Sequence, residues 1–375
     1  MSYHLPCVLM RGGTSRGPFF LADWLPQDPL QRDRTLIAAL GSPHELQIDG
    51  LGGGHSLTSK VAIVSRSVHA GCDVDYLFAQ VSVGEARVDT RPNCGNMLAG
   101  VGPFAIEQGL VHAGRQADVT QVRVYNLNTG ARIDLQVQTR DGRVRYEGDM
   151  RIDGVQGTAA PVLMSFRDAW GAVTGQLFPT GQRIDTIAGL QVTCIDAAQV
   201  MVLVPAAALG LRGDESAAEL DADTALLARL QALRCQAGLR MGLGGIPDSV
   251  LPKPVLVAPG PAPGSIVSRY FTPWRCHRSH AVTGAIGVAA ALLLPGTVAT
   301  DARTPASAGT HRVQVLHPAG RTHVDVQLAL VDGHCTLVQA ALVRTARKIF
   351  EGTLFVAQSA MAPGCPGPWP ADDRP

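Results

Sequence analysis

The chain has 375 residues, 46% hydrophobic and 17% charged, which excludes a disordered chain and sets it among core-forming globular proteins of two or three domains. Its 32 Lys and Arg against 31 Asp and Glu leave a net charge of +1, with no basic stripe of the kind a phosphate backbone requires, so nucleic acid is not an expected partner. The longest apolar run, 281–294, is interrupted by Thr283, Gly284 and Gly287 and is shorter than the roughly 18 residues of a membrane span; with no secretory leader at the start, the expectation is a cytoplasmic protein.

Taken in chain order, β-type runs fall at 7–10, 18–21, 60–65, 75–83, 122–125, 132–137 and 144–146, with helical periodicity at 29–40 and 97–110. Gly, Asp and Asn mark the turns between them, as at Asn128-Thr129-Gly130 and Asp141-Gly142. After Pro179-Thr180-Gly181 the style repeats, with strands at 190–195, 200–204, 254–258, 265–271, 311–316 and 323–330 and helices at 217–238, 283–294 and 336–349. This predicts an α+β fold in two similar domains, 1–182 and 183–360, followed by a Pro-rich tail at 361–375.

The halves echo one another. In the first, Asn93-Cys94-Gly95-Asn96 precedes the apolar helix; in the second, Arg275-Cys276-His277 and then Thr283-Gly284-Ala285 lead into another. Apolar helices are core, but the turns in front of them are candidate anion sites, because free N–H groups and the dipole favour negative charge at a helix N-terminus.

Four segments could carry chemistry. Arg11-Gly12-Gly13-Thr14-Ser15-Arg16-Gly17 follows a strand and is either a plain turn or a carboxylate-binding loop. Its G-x-S-x-G match at 13–17 would suit a serine hydrolase using Ser15, but that motif needs a helix where 18–21 reads as strand. The glycine loop at 50–54 lacks P-loop and dinucleotide spacing and instead delivers Ser59 and Lys60 to the start of an apolar strand. Only three residues are lysine, Lys60, Lys253 and Lys348, against 29 arginines, so a retained lysine can mark a role arginine cannot fill, such as a base. Lys253 and Lys348 are read as residues that merely escaped the bias; Lys60 is either a snorkelling edge residue or a functional amine.

The eight cysteines are scattered, with no C-x-x-C pair. Cys94 stands apart because a helix start favours the thiolate, whereas a lone cysteine elsewhere is usually an inert hydrophobe. At Arg275-Cys276-His277-Arg278-Ser279-His280 no second cluster completes a metal site, and an anion clamp facing the first turn across a cleft is the expectation.

Together these segments resemble the family of 4-oxalomesaconate tautomerases and 2-methylaconitate or methylitaconate isomerases. The resemblance rests on Met10-Arg11-Gly12-Gly13-Thr14-Ser15, on Ile48-Asp49-Gly50 through Leu57-Thr58-Ser59-Lys60, on Asn93-Cys94-Gly95-Asn96 before Gly102-Pro103-Phe104-Ala105, and on Arg275-Cys276-His277, Thr283-Gly284-Ala285 and Arg344-Thr345-Ala346-Arg347-Lys348. It covers nearly the whole chain, and the tautomerase branch is matched further at 73–80 and 192–196. It implies a diaminopimelate epimerase-like fold, each domain a sheet rolled around a central helix with the active site between them, no metal, no organic cofactor, and Lys60 and Cys94 as the acid–base pair. Departures at His55-Ser56 and Arg16 bear on loop shape and substrate.

The implied reaction is a 1,3-proton shift on a small di- or tricarboxylate, either 4-oxalomesaconate in gallate or protocatechuate catabolism, or 2-methylaconitate or methylitaconate in propionate or nicotinate metabolism. Arg11, Thr14, Ser15, Ser59, Asn93, Gly95, Asn96, Arg275, Cys276, His277, Thr283, Gly284 and Ala285 are the expected substrate-binding set. A non-catalytic carboxylate-binding protein on the same fold is the rival from another class, and a homo-oligomer is compatible with the sequence.

Overall fold

The computed structural model describes residues 2–244, 249–272, 274–304 and 307–357; the expected tail at 361–375 lies outside them. The first half runs β1 (Ser2–Gly12), β2 (Ser15–Leu21), α1 (Pro29–Leu40), β3 (Lys60–Arg66), β4 (Val74–Val81), β5 (Val88–Asp89), α2 (Gly95–Glu107), β6 (Val119–Asn126), β7 (Arg132–Arg140), β8 (Arg143–Val144) and β9 (Pro161–Arg167). The second runs β10 (Asp185–Ile187), β11 (Leu190–Asp196), β12 (Val200–Pro205), α3 (Ala217–Ala222), α4 (Thr224–Arg240), β13 (Lys253–Pro259), β14 (Ser265–Tyr270), α5 (Val282–Leu293), β15 (Gly309–His317), β16 (Gly320–Val331) and β17 (His334–Ala357).

Pairing repeats between the halves. In the first, β1 is antiparallel to β2, β2 parallel to β3, β3 antiparallel to β4, β4 parallel to β6 and β6 antiparallel to β7. The second gives the same sequence of senses from β11 through β12, β13, β14 and β15 to β16. Each parallel step needs a crossover: α1 and the α3–α4 pair supply one on the outer faces, α2 and α5 the other inside. In the first half β7 pairs β9, β9 pairs β17 and β17 pairs β1, so the sheet closes into a barrel.

Both inner helices are apolar all round and buried throughout, α2 from Gly95 to Ile106 and α5 entirely. Small residues let the strands approach: a Cβ on Gly100 would stand 2.6 Å from Phe19 Cζ. One continuous core surrounds both helices, while α1 and α4 cover separate apolar layers outside the sheets.

Local chemistry explains most boundaries. Asp28 caps α1 by accepting from the Gln31 N–H at 2.8 Å, Pro29 starts it and Gly41 ends it in the left-handed region, as expected for 29–40. The single helix expected at 217–238 is two helices. Ser216 and Glu219 form a capping box on α3, and Asp223 ends it while capping α4 through the Leu226 N–H.

The helix expected at 336–349 is instead part of β17. A register shift opposite Gln327 and Leu328 inserts Val338 as an extra residue, moving the buried positions from Leu337 to Ala340, Leu342 and Arg344. That three-residue step imitates helical spacing within a strand. β17 serves both halves: residues 325–331 of β16 pair with its start, 161–166 of β9 with its middle, and β1 with 346–357.

Candidate active site

The N-termini of α2 and α5 meet between the halves. A Cβ on Gly95 would lie 2.7 Å from Val282 Cβ, so glycine is what allows the two ends to abut. Neither end carries a side-chain cap. They open on a cavity of ≈ 210 Å³, below the roughly 300–1,000 Å³ of drug-sized sites and suited to a small metabolite.

Lys60 is the first residue of β3 and points inward, because Ala62 and Val64 of the same parity face α2 while Val61 and Ile63 face the outer layer. Its Nζ donates to Gln80 Oε1 at 2.7 Å and sits 4.9 Å from the centroid of the Phe78 ring. Gln80 Nε2 donates to the carbonyls of Ser59 at 2.9 Å and Ser56 at 3.2 Å, which fixes the amide so that its oxygen faces the lysine. The glycine loop is organised by buried Gln47, whose Nε2 donates to Ser59 Oγ at 2.6 Å and whose Oε1 accepts from Gly54 N–H at 3.0 Å.

Cys94 is the N-cap residue of α2. Its carbonyl accepts from Leu98 N–H at 3.0 Å and from the buried Tyr76 hydroxyl at 3.1 Å, leaving the thiol at the cavity wall. Asn96 Nδ2 donates to the His280 carbonyl at 3.2 Å, and its Oδ1 accepts from Thr14 N–H at 3.3 Å. Asn93 spans the halves too, donating to the Ala198 carbonyl at 3.1 Å and accepting from Thr283 Oγ1 at 3.3 Å.

From the second half come Lys253, Tyr270, His277, Ala281 and Val282. His277 is pushed well below the ordinary histidine range by burial, with His280 and Lys60 adding repulsion. Its Nδ1 accepts from Ser279 N–H at 3.0 Å, so the proton of the neutral ring sits on Nε2. Nothing in its sequence neighbourhood distinguishes Lys253, yet it is 7% exposed and lines the same cavity as Lys60 and Cys94. Burial foremost, and the neighbouring Lys60, lower it from 10.5 to about 7. Lys348, by contrast, is a surface residue paired with Glu107 and Glu351, each at 3.1 Å.

Of the expected site residues the structure brings Lys60, Cys94, Ser15, Asn93, Gly95, Asn96 and His277 to the cavity. Ser15 is buried with no partner for its Oγ among the described residues, and it opens a strand rather than a helix, so neither a base nor a nucleophile elbow supports the hydrolase alternative. Arg11, Thr14, Ser59, Arg275, Cys276, Thr283, Gly284 and Ala285 do not line the cavity. Arg11 Nη1 donates to the carbonyls of Gly13 at 2.9 Å and Thr345 at 3.0 Å, and Gly284 and Ala285 are packed inside α5. The echo that placed Cys276 opposite Cys94 is corrected: the residue capping α5 is Ala281, whereas Cys276 belongs to the outer core under α4, where burial raises its thiol to about 12. Among the described residues no group of three or more His, Cys, Asp or Glu is arranged to hold a metal, and no helix is long and apolar enough to cross a membrane.

A family model described as PrpF protein matches residues 2–357. A putative isomerase, YbhH, of Escherichia coli (strain K12) is 53% identical over 352 residues, covering 94% of this chain and 99% of that protein. The 4-oxalomesaconate tautomerase of Pseudomonas putida is 48% identical over 354 residues, 94% of this chain and 96% of that one. Among solved structures, methylitaconate-delta-isomerase superposes with a TM-score of 0.76 at 34% identity, over 99% of this chain and 100% of that chain.

Proposed function

Because the chain belongs to the PrpF protein family, has its diaminopimelate epimerase-like fold and is an isomerase acting on a small carboxylate, we propose that it moves a proton between carbons of a small unsaturated di- or tricarboxylate. The carrying observation is the sign of the groups lining the cavity: Lys60, Arg87 and two uncapped helix N-termini, with the amine of Lys253 beside them, and no Asp or Glu among the described residues. Such a site holds carboxylates and stabilises the negative charge that develops when a carbon-bound proton leaves.

In this reading the proton passes from carbon to one of Lys60 and Cys94, the electron pair spreads over the conjugated system to a carboxylate or carbonyl oxygen, and the other residue returns a proton at the far carbon. Side chains alone perform both transfers, so no cofactor is required. Ser15 Oγ, the Nε2–H of His277 and the amides of Gly95 and Asn96 supply donors for the substrate's carboxylates.

Two substrate readings follow. Methylitaconate is supported by the solved isomerase matched along its whole length, and 2-methylaconitate by a 2-methyl-aconitate isomerase of Shewanella oneidensis that is 35% identical over 381 residues. 4-Oxalomesaconate is supported by the 48% identical tautomerase. Proton NMR in deuterated water, with each substrate offered separately to the wild type, Lys60→Ala and Cys94→Ala, tests the proposal. Isomerisation with deuterium entry, lost in both variants, is expected for one of them; full turnover in either variant refutes the pair.

A further inference from the structure

Strand pairing makes Lys253 the counterpart of Lys60. Each is the first residue of the strand that runs parallel to its half's preceding strand, β3 beside β2 and β13 beside β12. Two residues on, Ala62 and Val255 face the inner helices, each opposite an aromatic ring on the next strand, Phe78 and Tyr270. The two lysines thus enter one cavity from opposite halves at the same position of the repeated fold. Two of only three lysines in an arginine-rich chain occupy it.

Their surroundings differ. Lys60 is held by Gln80 and the Phe78 ring, whereas Lys253 Nζ makes no hydrogen bond or ion pair among the described residues. The charged and titratable groups acting on it are Lys60 from β3, Arg234 from α4, Asp89 from β5 and Cys94 before α2; His277 and Arg87 share the cavity wall. Asp89 is itself engaged by Arg91 at 3.0 Å. A buried amine facing a second amine, with no carboxylate of its own among the described residues, is a place made for an arriving negative charge.

We propose that Lys253 is a substrate-contacting residue of this isomerase, the second half's counterpart of Lys60, which takes up a proton when a polycarboxylate enters and holds one of its carboxylates while the reacting system carries the extra charge. This rests on the carboxylate-isomerase reading above. An amine that is largely neutral near pH 8 in the empty cavity becomes an ammonium beside a carboxylate, and the proton comes from the buffer. Arginine at this position would carry its charge permanently.

The test is calorimetric titration of tricarballylate, a saturated tricarboxylate that has no double bond to shift, at pH 8 in buffers of different ionisation enthalpy. The wild type is expected to take up close to one proton per chain. Lys253→Met loses the uptake, binds at least tenfold more weakly and loses at least tenfold in kcat/KM; Lys253→Arg binds without uptake. Circular dichroism and the elution volume establish that both variants are folded. Uptake or kcat/KM unchanged in Lys253→Met overturns the proposal. Tight binding by the wild type without proton exchange overturns it too, yet leaves the isomerase reading standing. A wild type that neither binds tricarballylate nor turns over any polycarboxylate removes that reading, and the proposal with it.

Discussion

Replacing Lys253 by methionine has a consequence for folding that can be read without substrate. In the unfolded chain this amine binds its proton below pH 10.5; in the folded protein it does so only below about 7. Between these values the unfolded state holds more protons, so this group makes the wild type less stable as pH falls from 10.5 towards 7, and the loss levels off below that. At 1.36 kcal/mol per decade, the penalty relative to a neutral side chain is about 4 kcal/mol at pH 7 and about 3 kcal/mol at pH 8.5. These are ceilings, because water reaching the cavity relaxes part of the cost. Methionine also adds packing, but that contribution does not vary with pH. Urea unfolding of both proteins at pH 7.0 and 8.5 should therefore show the variant gaining more at the lower pH, by up to roughly 1–2 kcal/mol. An equal difference at the two pH values would refute the argument that burial holds Lys253 neutral.

Three buried thiols act in the opposite direction. Cys7, Cys194 and Cys276 are each raised from 9.0 to about 12 by burial, so the stability they contribute is intact below pH 9 and lost as pH rises towards 12. Equilibrium unfolding should show a steep loss between pH 9 and 10 that becomes shallower in Cys194→Ala. Gly95→Ala puts a methyl 2.7 Å from Val282 Cβ and should cost about 1–3 kcal/mol while lowering kcat/KM; Val282→Ala in the same chain should recover part of both. Asn96→Ala strips partners from Thr14 N–H and the His280 carbonyl and should lower stability by about 2–3 kcal/mol in thermal unfolding, an effect Asn96→Asp reproduces only in part because it keeps the acceptor alone.

What the sequence discloses depends on whether the signal is local. α1 is legible because Asp28, Pro29 and Gly41 lie within a turn of its ends. Cys94 is legible because it sits directly before an apolar helix, and Lys60 because lysine is scarce. The same scarcity applies to Lys253, but what distinguishes it is strand parity and pairing, which join residues nearly two hundred positions apart. Cys276 misleads for the complementary reason: a cysteine preceding an apolar helix looks like Cys94, yet Ala281 is the residue at the helix start. The extra residue at Val338 hides β17 because one bulge turns alternation into helical spacing. Gln80 carries no motif at all; its place opposite Lys60 in the β3–β4 ladder gives it its task.

The sharing of β17 bears on how the protein is made. The barrel around α2 is closed by 346–357 lying against β1, so the half that holds Lys60 and Cys94 lacks one wall until nearly the whole described chain has been synthesised. On the ribosome β1 and β9 stay unpaired along the edges that β17 will cover, and the first half has no complete closed form to adopt while the second is being translated. N-terminal-first assembly is therefore closed to the first half: 340–345 must lie against β9 and 346–357 against β1 before its barrel is complete and both exposed edges are covered.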